Sequence, residues 1–362
     1  MVNYATKYSN TVDEIIKAGA LSDSAVNNDY EFTGAQTVKV YSMGTAKMND
    51  YRTSGANRYG TPEELQDETQ EMVMSRKRSF SYTIDKTNAV DSPEGVKDAG
   101  KSLRRQLDTV VIPEIDTYRF AAIAKGAGFR TFTALSKSNA YETFLTANGM
   151  IDDAEMPTVG RVAFVTPDFY NKLKLDDNFT KASDMAQEKI IFNGQIGQID
   201  EVPVVKVPSV RMPAGADFII TNPMATTGPE KINDYRIHED PPGLAGHLVE
   251  GLFYYDAFVL NNKKNMIAVN YGHLGSLTAS MTAGESGKGV VTVTGNTNGG
   301  KLVYKTASSV TAATLGSDVA TWAELPSDGI VSATASHKIA VAVSVDGKAV
   351  AASEAITVAV GG

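Results

Sequence analysis

Cysteine is missing from all 362 residues, tryptophan occurs once and histidine four times. Without cysteine there is no disulfide, no thiolate nucleophile and no zinc–cysteine site. That absence fits a cytosolic setting. Histidine chemistry has only His238, His247, His273 and His337 to draw on. Neither a Gly-x-Ser-x-Gly elbow nor a His-Glu-x-x-His motif accompanies them. Gly284-Glu-Ser-Gly-Lys-Gly289 has the wrong spacing for a phosphate loop and lacks Ser or Thr after its lysine. The chain also lacks a basic excess. Its 34 Lys and Arg against 42 Asp and Glu leave a formal net charge of -8, so there is no global footprint for nucleic acid. Long apolar runs are absent too. The densest, Gly251–Leu260, is short and contains Asp256, far from the ~20 residues of a membrane span. The N-terminus, Met-Val-Asn-Tyr-Ala-Thr-Lys-Tyr, has no signal-peptide core. No enzyme class finds a convergent set of groups, and no cofactor or metal is expected. The best metal or acid–base candidate, His238-Glu239-Asp240, is consecutive, and an extended segment points such residues to opposite faces.

What the chain does have is length, 42% hydrophobic residues and one unusual stretch. The size predicts two or three domains. The stretch is Asp91–Gly128. Ser92 can N-cap a helix, Pro93 fits its first position, and Glu94 suits the positive end of the helix dipole. Val96, Ala99, Leu103, Leu107 and Val110 recur at three- and four-residue steps and share a face. Lys97, Lys101, Arg104, Arg105 and Asp108 take the other. Pro113 predicts a kink in this helix, Ile115, Tyr118, Ala122 and Ile123 resume the pattern, and Gly126 and Gly128 end it. Such a helix spans roughly 50 Å at ~1.5 Å per residue. That length reads either as a helix laid across the sheet of an ordinary enzyme or as a spine carrying separate lobes, and the rest of the chain favours the spine.

Before the spine, residues 1–35 read as an extended arm with one short amphipathic piece, Thr11–Leu21. Residues 36–85 read as a long two-stranded excursion, its strands Gln36–Met43 and Ser79–Asp85. Its tip carries Arg52 and Arg58, and Thr61-Pro-Glu-Glu-Leu carries a helix-start signature. Arg76, Lys77 and Arg78 form a basic knot opposite an acidic block that includes Glu63 and Glu64. Either these are solvated faces, or the two blocks pair between neighbouring subunits.

After the spine comes a mixed α/β region, roughly Phe129–Tyr271. Ser138–Gly149 and Pro167–Leu175 read as helices. Arg161–Thr166 and Asp217–Thr221 read as strands, and Gly194–Pro208 as two short strands with a turn. Leu252–Leu260 and Asn265–Asn270 read as a closing strand pair. Beyond His273 phenylalanine disappears, proline occurs once, at Pro326, and Tyr304 and Trp322 are the last Tyr and Trp. Short alternating strands with turn signals predict a separate β-sandwich over 273–362, with Trp322 as its core anchor.

The order of parts resembles the major capsid protein of tailed bacteriophages, the Johnson (Hong Kong-97-type) fold, over about Met1–Tyr271. The residues that carry the resemblance are Val111-Ile-Pro-Glu-Ile-Asp-Thr-Tyr118, Gly197-Gln-Ile-Asp-Glu-Val-Pro-Val-Val205 and Tyr255-Asp-Ala-Phe-Val259. The fold class it implies is α+β: an N-terminal arm (1–35), an E-loop (36–85), a spine helix with P- and A-domains (86–272), and an all-β immunoglobulin-like sandwich (273–362) projecting from the surface. The function it implies is structural and non-enzymatic. The chain would build hexameric and pentameric capsomers of an icosahedral or prolate shell, the virion capsid, around DNA bound without sequence specificity. A separately encoded scaffolding protein is expected because Met1 leads straight into the arm, and a portal is a further expected partner. A host-surface glycan is a candidate ligand of 273–362. Arg52, Arg58, Glu63, Glu64, Arg76, Lys77 and Arg78 are the inter-subunit candidates. The alternative is a phage tail or cell-surface structural protein with a carbohydrate-binding β-sandwich.

Overall fold

In the computed structural model the spine helix runs from Ala99 to Gly126. The structure describes residues 20–30, 36–86, 99–176, 191–192 and 195–361. Most of the arm, including 11–19 of its amphipathic piece, therefore lies outside the described residues, as do the helix-start residues Ser92, Pro93 and Glu94. The described helix is about 40 Å long at ~1.5 Å per residue, and it is not regular. Helix α1 (Ala99–Gln106) passes into a π-helical turn (Leu107–Val111) and then into α2 (Ile112–Gly126). The Ile112 N–H reaches back five residues to the Leu107 carbonyl. A turn that wide moves the apolar stripe by one residue: Val111 is buried after Leu103 and Leu107, and Val110, expected on that face, is exposed. Pro113 follows in the first turn of α2. Its ring would crowd the Thr109 carbonyl in a regular helix, and the irregular turn contains Thr109.

The excursion exists with a different partner strand. Strand β1 (Thr37–Met43) pairs antiparallel with β2 (Asp67–Val73), Thr37 opposite Val73 and Met43 opposite Asp67. No helix forms at Thr61-Pro-Glu-Glu-Leu; 61–66 are irregular and lead into β2. The acidic run Asp67-Glu68-Thr69-Gln70-Glu71 has no apolar stripe to hold a helix, and pairing with β1 decides its conformation. The expected partner, β3 (Lys77–Asp85), joins the body instead. Its alternating Phe80, Tyr82 and Ile84 need a core, and they find it against Leu103, Leu107 and Ile115 of the spine.

The body continues through β4 (Phe129–Thr131), α3 (Ala140–Asp153), β5 (Val162–Val165) and α4 (Pro167–Lys174). Next come β6 (Gln198–Ile199), β7 (Val202–Lys206), β8 (Ala216–Thr221), β9 (Glu230–Glu239), β10 (Gly246–Tyr255) and β11 (Ala268–Tyr271). Thr166 caps α4, its hydroxyl accepting from the Phe169 N–H at 3.3 Å. Asp200 and Glu201, both at positive φ, make the tight turn between β6 and β7. A six-stranded sheet runs β4-β11-β8-β5-β7-β6. Helices α3 and α4 cover one face of it through Phe144, Phe169 and Phe218. A three-stranded sheet, β9-β10-β3, lies against the spine. The closing strands expected to pair with each other are thus in different sheets, and a 3-10 helix, Asn261–Met266, separates them. Their burial explains it. Val249 and Phe253 of β10 face the spine core, whereas β11 is buried along its whole length inside the larger sheet.

The C-terminal strands are β12 (Gly275–Ala283), β13 (Lys288–Gly295), β14 (Lys301–Ala307), β15 (Ala323–Glu324), β16 (Ile330–Ser332), β17 (Lys338–Val345), β18 (Lys348–Ser353) and β19 (Ile356–Thr357). They hydrogen-bond as one continuous sheet, β15-β14-β17-β18-β12-β13-β16, with β19 on β17. The sheet encloses two small cores, one around Val291, Ile339 and Val341 and one around Val303, Ala342 and Ala349, where Trp322 is half-buried at the margin. A third set, Leu277, Val343, Val345, Val350 and Ala351, belongs to the core of the body with Phe120, Ile219 and Tyr271. The unit expected to stand apart therefore shares a core with the rest. Gly215 (φ +69°) marks the junction: a Cβ there would collide with the carbonyls of Val350 and His273.

Candidate assembly surface

The β1–β2 hairpin buries Met72, with Val38 and Val40 beside it, and carries its other large apolar residues outward. Tyr41 is 73% exposed, Met43 78%, Met48 99% and Tyr59 85%. The Tyr51 and Tyr59 rings meet edge to face with centroids 5.1 Å apart. Arg52 and Arg58 are exposed at the same tip, where their backbones hydrogen-bond to each other, and Glu63 and Glu64 are exposed beyond it.

At its root the hairpin is pinned to the spine. Gln70 of β2 donates to the Val259 carbonyl at 2.8 Å and accepts from the Asn261 N–H at 2.9 Å. Asp256, buried, accepts from the Ser75 N–H at 2.9 Å and from the Tyr118 hydroxyl at 2.6 Å. Burial pushes the Tyr118 hydroxyl well above its ordinary pKa, and the Asp256 carboxylate pushes the same way. The Arg76 guanidinium lies 4.4 Å from the Tyr118 ring centroid and binds Glu114 at 2.9 Å; Arg78 binds the same carboxylate at 2.6 Å. Partial burial alone would raise Glu114, but the hydrogen bonds and charges of Arg78 and Arg76 outweigh it and hold the carboxyl below its usual range. Two of the three residues of the expected basic knot thus have a partner within the chain. The third, Lys77, lies over the Tyr254 ring at 5.1 Å.

A second cluster clamps the root of the arm. Asp116 is fully buried in α2, yet it accepts from the Leu21 N–H at 3.3 Å, the Ser22 N–H at 3.1 Å, the Ser22 hydroxyl at 2.7 Å and Arg211 at 2.8 Å. It caps the 3-10 turn Leu21–Ala25 from another part of the chain. One turn on, Arg119 binds Asp23 at 2.7 Å and Glu230 at 2.6 Å. Sequence reading missed Asp116, Arg119, Arg211, Glu230, Glu114 and Asp256. One signal was present: Asp116 and Arg119 interrupt the apolar face of Ile112, Ile115, Phe120 and Ile123.

His238, Glu239 and Asp240 do not converge. His238 faces Glu250 at 3.4 Å, and Asp240 binds Lys86 at 2.9 Å. Among the described residues no three His, Asp or Glu side chains gather as metal ligands, and no helix is long and apolar enough to cross a membrane. Near the C-terminal sheet, His273 Nδ1 is 2.7 Å from Oδ1 of the buried Asp217. That hydrogen bond raises the His273 pKa against the opposing pull of burial.

No family model matches the chain, and no curated protein matches it. Solved structures do. The capsid of Cyanophage P-SCSP1u matches with a TM-score of 0.56 at 12% identity, over 70% of this chain and 88% of that one. A chain of Mycobacterium phage Che8 matches with a TM-score of 0.55 at 17% identity, over 69% and 90%. The mature capsid of bacteriophage PhiM1 matches with a TM-score of 0.54 at 12% identity, over 70% and 86%. Over about 70% of its length this chain therefore has the fold of these bacteriophage structures, two of them described as capsids.

Proposed function

We propose that the chain is a major capsid protein, a structural and non-enzymatic subunit that self-associates into capsomers of a virion shell around DNA. The observation that carries this reading is the extent of the likeness: the fold covers nearly all of each phage chain compared, from 86% to 90% of its length, and two of these are described as capsids. The hairpin supports it independently. A monomer gains nothing by holding Tyr41, Met43, Met48 and Tyr59 in water, whereas obligate assemblies bury thousands of Å² of apolar surface. On this reading β1, β2 and their tip are the E-loop that lies over a neighbour. The spine with the sheet β9-β10-β3 is the P-domain, and the six-stranded sheet with its helices is the A-domain. Arg52, Arg58, Glu63 and Glu64 remain the inter-subunit candidates at the tip. The π-helical turn before Pro113 is where the spine adapts to different positions in a closed shell.

Negative-stain electron microscopy of the expressed chain, with and without a scaffolding protein, tests the reading. Closed shells or capsomer rings are the expected result. Tubes would favour the tail protein, and a dispersed monomer in both conditions would overturn the capsid reading.

A further inference from the structure

We propose that the C-terminal sheet is an assembly element: with the spine it builds a groove that receives the apolar hairpin tip of a second copy of the chain. The proposal rests on the capsid reading and names the surface on which one of its contacts is made. The groove has a volume of about 850 Å³. Ala121 and Ala122 of α2, Phe258 and Val259 of the following segment, and Val345 of β17 supply its apolar lining. A volume in this range encloses a drug-sized molecule, so it has room for a knob of a few side chains.

The chain cannot fill this groove with its own tip. Gln70 and Val73 of its own hairpin form part of the groove wall. The other end of β2, Asp67, lies six residues away, roughly 20 Å at ~3.4 Å per residue. Folding back would break the seven-residue register with β1 and the two hydrogen bonds of Gln70. A hairpin tip entering the groove must therefore belong to another copy.

The tip has the matching chemistry. Met48, Tyr51 and Tyr59 are exposed, and the edge-to-face tyrosine pair is already formed. Lys125 stands at the groove and makes no ion pair among the described residues; Glu63, Glu64 and Asp67 are exposed beside the knob. One surface of a copy meets a different surface of the next. Such heterologous contacts close into rings when the rotation allows, as a capsomer requires. The C-terminal sheet then acts from within the shell as a wall of the docking site.

The absence of cysteine makes the test direct, since every disulfide must join two introduced residues. Chains carrying Met48→Cys or Tyr59→Cys are mixed with chains carrying Ala122→Cys or Ser344→Cys, assembled and oxidised. Val159→Cys, on an exposed residue away from the groove, is the control. Mixed dimers on a non-reducing gel are expected for a tip–groove pair and not for tip with Val159→Cys, because a disulfide needs Cα atoms within ~7 Å. Particles that form with no tip–groove disulfide, or with equal cross-linking to the control, overturn this proposal and leave the capsid reading standing. If the unsubstituted chain forms no particles with or without a scaffolding protein, the capsid reading falls and this proposal with it.

Discussion

The β1–β2 hairpin and the C-terminal sheet both read, in sequence, as additions to the body, and the structure treats them in opposite ways. The hairpin buries Met72 against Tyr254 and Leu260 but turns Tyr41, Met43, Met48 and Tyr59 to solvent. The sheet is poor in aromatics, yet Leu277, Val343, Val345 and Val350 enter the central core. Aromatic content is therefore a poor guide to which part is integrated. What distinguishes the two is where the apolar surface finds a partner: within the chain for the sheet and for Met72 of the hairpin, and, on the proposed capsid reading, on a neighbour for the hairpin's exposed side chains.

The largest effect expected comes from breaking the sheet's side of this comparison. Truncation after Gly272 strips the central core of four large apolar side chains. Each is worth roughly 1.5–3 kcal/mol of burial, against a total stability of ~5–15 kcal/mol. The truncated chain should be insoluble or molten. A soluble truncated chain with a cooperative thermal transition would restore the autonomous reading of 273–362.

Next comes the clamp on the arm. Asp116→Ala leaves Arg211 and the N–H groups of Leu21 and Ser22 without their acceptor, and removing one partner of a buried ion pair costs about 3–5 kcal/mol. Denaturant unfolding should show that loss. A change below about 1 kcal/mol would mean the cluster holds the arm without stabilising the body.

Glu114→Gln acts on the hairpin root and should cost about 1 kcal/mol, because both arginines stay partly exposed. In the wild type this contribution is present above the ordinary carboxylate range and lost as pH falls through the lowered pKa of Glu114. An acid titration of stability that is identical in wild type and Glu114→Gln would contradict it.

The smallest effect belongs to His273, beside the junction. Asp217 and Asp168 favour its charged form and Lys172 opposes it, with the net pKa raised. Its contribution is fully present below the ordinary histidine value near 6.5 and fades as pH rises through the raised one. The side chain is half-exposed, so under about 1 kcal/mol is expected. Melting temperatures of wild type and His273→Gln should converge as pH rises; a gap that widens would contradict the assignment.

Local chemistry was legible in the sequence. Thr166 before Pro167 marked the start of α4, and the clean alternation of Phe80, Tyr82 and Ile84 marked β3. Partnership was harder to read. Strands β2 and β9 are rich in charge, and their conformation comes from the strands they pair with. The π-helical turn hid in a stripe that looked regular, and one shifted residue exchanged Val110 for Val111. The two polar clusters draw on segments far apart in the chain, from Ser22 to Asp256, and no local pattern brings them together.

The most direct measurement is sedimentation velocity of the full chain beside a variant in which 44–66 is replaced by Asn-Gly. The full chain should sediment as large particles and the variant as a small species with an unchanged melting temperature. A folded variant that assembles as the full chain does would contradict the claim that the hairpin's exposed apolar surface is completed by a neighbour.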